Sequence, residues 1–104
     1  MDKKYTLRYL PTFFDDLSET VDYIAKKLKN KEAANHLVNE VEQAILERQP
    51  VCESFEIYHS AKERKYPYYR IYVGNYIIYY VVIDHKIMEV RRFLYKGQDR
   101  ESMV

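Results

Sequence analysis

The apolar pattern of this chain changes period at Pro67, and that change sets the fold class. Before it, apolar residues recur at three- and four-residue steps; after it, they alternate. The first spacing lines one face of a helix and the second lines one face of a strand. Phe14, Leu17, Val21, Ile24 and Leu28 form one helical stripe, and Ala34, Leu37, Val38, Val41 and Ile45 form another. Tyr68–Val73, Tyr76–Ile83 and Lys86–Leu94 read as three strands, with Gly74-Asn75 and Asp84-His85 where two-residue hairpin turns belong.

The boundaries follow from punctuation. Tyr5–Leu10 alternates and is rich in β-prone residues, so it reads as a short first strand that Pro11 ends. Thr12 starts the first helix, with Asp15 as a weak form of the capping box. Its polar face runs from acidic (Asp15, Asp16, Glu19) to basic (Lys26, Lys27, Lys29), which suits the helix dipole. Asn30 can cap the second helix, and the short break makes the pair fold back on itself. Pro50 closes it, and residues 51–66 read as one long polar loop. The expectation is a single α+β domain over 1–104, of order β-α-α-β-β-β. Its three-stranded antiparallel meander would carry the helical hairpin on one face.

The formal net charge is +1, but it is unevenly spread. Residues 1–50 carry eight Lys/Arg against nine Asp/Glu, whereas Lys62–Lys96 carries eight against three, a net of +5. A local positive field attracts phosphate even on a near-neutral protein, although solvated surfaces also vary in charge. Cys52 is the single cysteine, so no disulfide forms within the chain, which suits a reducing cytosol. His36, His59 and His85 are too scattered to suggest a zinc site. Neither a secretion signal nor a membrane span is legible, and a cytoplasmic protein without metal or cofactor is expected.

Alternation predicts what the face away from the helices displays. Tyr68, Arg70 and Tyr72 should point outward from the first meander strand, with Tyr69, Ile71 and Val73 inward. In the last strand, Met88, Val90 and Leu94 should face the core, with Arg92 on that side near an edge or paired. Ile87, Glu89, Arg91, Phe93 and Tyr95 should face away. Arg70, Arg91 and Tyr95 would then gather on one open face. Most of the tyrosines serve as ordinary strand residues; one or two beside arginines can stack on bases.

These features resemble the RelE/ParE toxins. The resemblance rests on Tyr-Leu-Pro before the first helix, on Ala33-Ala34 opening the second, and on the run from Tyr69 to Tyr76 with its Gly-Asn-Tyr turn. It rests also on the Arg-rich ending from Met88 to Asp99. It implies the toxin half of a type II toxin–antitoxin pair, with a cognate antitoxin that lays a helix or extended arm across it. It further implies one of two actions: RelE-like cleavage of messenger RNA in the ribosomal A site, the favoured expectation, or ParE-like poisoning of DNA gyrase.

For cleavage, the 2′-hydroxyl attacks the adjacent phosphate. That needs a base, positive charge on the phosphate and an acid for the leaving oxygen. Arg70 and Arg91 would supply charge. Similarity to the YoeB-like branch makes Glu56 the base and Tyr95 a stacking group or proton donor. Lys62, Arg64, Lys65 and Lys96 would hold nucleic-acid phosphates. Each also has a structural reading: Glu56 as a solvated loop acid, the arginines as partners of acidic groups, Tyr95 as a cap on the sheet. Two positions depart from the nuclease pattern, with Ile77 where RelE-like enzymes have arginine and Leu94 where YoeB-like members have histidine.

Overall fold

The computed structural model describes residues 4–58 and 65–97. The elements follow the expected order, as α+β: β1 (Thr6–Tyr9), α1 (Pro11–Asp22), α2 (Lys31–Arg48), β2 (Ile57–Tyr58), β3 (Tyr68–Val73), β4 (Tyr76–Ile83) and β5 (Ile87–Tyr95). They form one sheet in the order β1-β5-β4-β3-β2. β1 runs parallel to β5, and every other neighbouring pair is antiparallel. The loop after α2 is not wholly irregular, because Ile57 and Tyr58 pair with Tyr69 and Tyr68 as a short edge strand.

α1 begins one residue earlier than expected. Pro11 occupies its first turn, where the missing N–H costs nothing, and Leu10 is the N-cap without a side-chain bond. The packed face also differs from the predicted one. Phe13 is buried, whereas Phe14 and Leu28 from the predicted stripe are about half exposed. A π-helical turn, Tyr23–Lys27, continues α1. Asn30 caps α2 as its position suggests, with its side chain accepting from Ala33 N at 3.0 Å. Both meander turns hold positive φ. Gly74 is at +55°, and Asp84 and His85 at +52° and +58°, the left-handed pair that an inverse two-residue turn requires.

The main core lies between the helices and one sheet face. Phe13, Leu37, Val41 and Ile45 meet Ile71, Ile78, Val90 and Phe93 there. Tyr80 crosses this layer. Its hydroxyl donates to Cys52 O at 2.7 Å and accepts from Arg48 Nη1 at 3.1 Å, pinning the end of α2 and the loop after it to the sheet. Burial pushes its phenol up to about 12, against the opposing effect of Arg48. Tyr5 Oη and His85 Nδ1 both meet the Glu53 carboxylate, at 2.7 and 2.6 Å, and tie the far end of the sheet to the same loop.

The opposite face is not bare. Tyr68, Ile77, Tyr79, Val81 and Leu94 form a second buried cluster, with Tyr58 and Tyr66 packed against it. Tyr79 has no exposed surface and takes edge contacts from Tyr58 and Tyr68, each at 5.8 Å between ring centroids. The polar groups of this face are therefore ranged around an aromatic floor.

Candidate functional site

One irregularity decides which side chains share that face. Tyr79 pairs with Arg92 and Tyr80 with Val90, so Arg91 has no partner on β4 and forms a β-bulge. The extra residue inverts the alternation of β5. Before it, Glu89 lies on the outer face and Val90 in the main core; after it, Phe93 enters the main core and Leu94 joins the outer cluster. Tyr95 lies opposite Tyr76, with their rings 5.9 Å apart, and lines a cleft with Asp16, Glu19 and Tyr23 of the helical layer. Tyr95 thus faces the helices, and the convergence of Arg70, Arg91 and Tyr95 expected from strict alternation does not occur. Phe93 and Leu94 exchange faces for the same reason.

The outer face holds its cations in two ways. At one side, β1 brings Arg8 into register with Glu89. Glu89 is 4% exposed and accepts from Arg8 Nε at 2.6 Å and Arg91 Nε at 2.8 Å. Burial opposes its charge, but the two guanidinium groups outweigh burial and lower its pKa below the ordinary value. Burial likewise opposes the charge of Arg91, and its bonds to Tyr68 and Glu89 raise its pKa on balance. The middle of this triad is a carboxylate, so most of the charge of Arg91 is answered inside the protein.

At the other side, Arg70 lies over the Tyr58 ring at 4.5 Å and the Tyr72 ring at 5.6 Å. Among the described residues no carboxylate pairs with its guanidinium. Its backbone is fixed from beneath, where Arg48 Nη1 donates to its carbonyl at 3.1 Å. Lys96 Nζ stands 6.0 Å from the exposed Tyr72 ring and extends this cationic, aromatic margin. Glu56 is exposed just before β2. Continuing the Ile57–Tyr69 register by one step sets it across from Arg70, without an ion pair between them. Lys65 lies over Tyr66 at 5.4 Å. Lys62 and Arg64 fall outside the described residues.

Arg92, expected on the core side near an edge or paired, is paired but has also changed face, since it lies opposite Tyr79 of the outer cluster. Asp16 of α1 accepts from Arg92 Nε at 2.7 Å and from the Phe93 backbone N–H at 3.0 Å. Asp16 therefore serves the part of β5 beyond Val90, where the β1 pairing ends. Two contributors to the outer face, Arg8 and Tyr58, escaped the sequence reading. Alternation in β1 does put Thr6 and Arg8 on one face, but nothing in the sequence says that β1 lies along β5.

What the described residues of this face can do chemically is offer the Arg70 guanidinium, without an ion-pair partner among them, on an aromatic platform flanked by Lys96, to a phosphate or acidic group. Among the described residues it brings together no tyrosine–arginine–glutamate set with Tyr95 in it. No helix among them is long and apolar enough to cross a membrane. Compared with known families, residues 7–100 match the model described as the ParE toxin of the type II toxin–antitoxin system parDE. A search of curated proteins found no match.

Proposed function

The chain belongs to the ParE toxin family, and from that premise we propose that it arrests growth by binding DNA gyrase through the outer sheet face, without cutting RNA. As a toxin of a two-part system it has a cognate antitoxin as partner. The observation that carries the reading is the bulge at Arg91. It turns Tyr95 to the helical side and leaves Arg91 bonded to Glu89, which supports a reading that does not call on Arg70, Arg91 and Tyr95 acting together in cleavage. Ile77 and Leu94, at positions where the resemblance to nucleases asks for arginine and histidine, are both buried in the outer cluster. A binding surface requires only what this face has: Arg70, Lys96 and exposed Tyr72 at one margin, matched to an acidic or phosphate-bearing partner. An antitoxin partner and a gyrase target would both be met in the cytoplasm, which supports that site of action.

A second reading, ribosome-dependent cleavage of messenger RNA, is favoured by one observation. Glu56 lies one register step from the pair that sets it opposite Arg70, as a base and a phosphate-binding cation would be. Brief expression in a bacterial host separates the two. Induction of the DNA-damage response with intact messengers is the expected result. New messenger 5′ ends at codon boundaries in translated frames would favour the nuclease.

A further inference from the structure

A second site lies on the other side of the sheet, where α1 passes the end of β5. A cleft of about 690 Å³ opens there, walled by Tyr23, Tyr76 and Tyr95 with Glu19, Thr20 and Asp16 on the helix side. Tyr76 stacks on buried Phe93 at 4.9 Å and is the fixed wall. Tyr95 meets it edge to face at 5.9 Å, and Tyr23 starts the π-helical turn that follows α1. Tyr23 and Tyr95 each keep about half their surface exposed. A Cβ on Gly97 would come within 2.8 Å of the Tyr95 ring, so the glycine allows that ring its present position.

The acids on this wall differ in availability. Asp16 is occupied by Arg92 and the Phe93 N–H. Glu19 is exposed and has no ion-pair partner among the described residues. Three tyrosine rings beside the Glu19 carboxylate line a space suited to a cation with an apolar stem. Among the described residues no arginine or lysine lines the cleft. Its volume exceeds what one guanidinium fills and leaves room for the residues flanking it.

We propose that this cleft seats an arginine or lysine side chain from a peptide segment of a partner protein. The cation rests among Tyr23, Tyr76 and Tyr95 and pairs with Glu19, while flanking residues pack along α1 and the end of β5. Charge complementarity selects this occupant. An acidic segment would meet Glu19 and the exposed Asp15 and Asp22 of the same helix, and its place is the opposite, cationic face. The two faces thus take partners of opposite charge. The proposal does not depend on whether the outer face cuts RNA or binds gyrase.

The test is NMR titration of the chain, with labelled tyrosine rings, by N-acetyl-arginine methylamide and by its neutral citrulline counterpart. The arginine probe should give saturable shifts at Tyr23, Tyr76 and Tyr95, with a Kd on the order of 1–10 mM, and the citrulline probe should bind about tenfold more weakly. Glu19→Gln, at an exposed position that leaves the fold intact, should weaken the arginine probe about threefold or more. Tyr95→Leu should weaken it about two- to fivefold. Equal binding of the two probes, shifts confined to Tyr58, Tyr68 and Tyr72, or no saturable shift would each overturn the proposal. Growth arrest is not the readout, so failure here leaves the functional reading standing.

Discussion

The two margins of the outer face hold arginines of the same strand sheet in opposite states. On the β1 side, Arg8 and Arg91 close on buried Glu89; on the β2 side, Arg70 rests on two tyrosine rings, and among the described residues no carboxylate forms an ion pair with it. The lesson is that a count of basic residues overstates what a surface offers to phosphate. A guanidinium already answered by a buried carboxylate must give up that partner to bind another, whereas one laid on aromatic rings gives up only a weak contact. The +5 stretch of sequence thus reduces, among the arginines on this face, to a functional difference centred on Arg70.

Substitutions can break this contrast, beginning with the largest expected effect. Arg70→Ala should lower affinity for the cellular target about 10- to 100-fold, the range of a charge-assisted hydrogen bond. Its melting temperature should stay unchanged, since the side chain supports no buried group; binding and calorimetry on one preparation check both. Glu89→Gln should act the other way. It leaves Arg8 and Arg91 without their shared counter-charge and should destabilise the fold by about 1–3 kcal/mol in denaturant titration. It should also create salt-sensitive phosphate binding at the β1 margin that the parent lacks.

The pH dependence of stability sharpens the same point. The folded state depresses the Glu89 pKa, so its contribution is complete above the ordinary value of 4.5 and is lost as pH falls through the lower folded value. The free energy of unfolding, followed from neutral pH into the acid range, should therefore fall less steeply in Glu89→Gln than in the parent. Arg91→Ala should weaken target binding less than Arg70→Ala, by about fivefold or less, because most of that charge is internal. Smallest of all, Tyr95→Ala should change neither target binding at the outer face nor stability by more than about 0.5–1 kcal/mol, as expected for a half-exposed ring. Loss of growth arrest in that variant comparable to Arg70→Ala would return Tyr95 to the outer site.

The sequence revealed element order, the α2 stripe, the Asn30 cap and both hairpin turns, since each is a local signal. It misplaced what depends on phase. Phe13 and Phe14 are neighbours of one residue type, and it is the packing of α1 on the sheet, which no local pattern encodes, that buries the former. Along Arg91-Arg92-Phe93-Leu94-Tyr95, either parity puts an apolar residue in a core, because this sheet has a buried cluster on both faces. Composition therefore could not betray the bulge, and the facing of Tyr95 followed the wrong parity. The Arg8–Glu89 pair was hidden for a different reason. It comes from parallel pairing across 81 residues, which no local pattern encodes.

The separation of the two faces at Arg91 is the claim on which the rest stands, and ring-to-ring nuclear Overhauser contacts from Tyr95 test it most directly. The account predicts contacts from Tyr95 to Tyr76 and to the methyl group of Thr20, with none to Tyr68. Contacts from Tyr95 to Tyr68 or to the Arg70 side chain would show an unbroken β5 and would restore a single site built from all three groups.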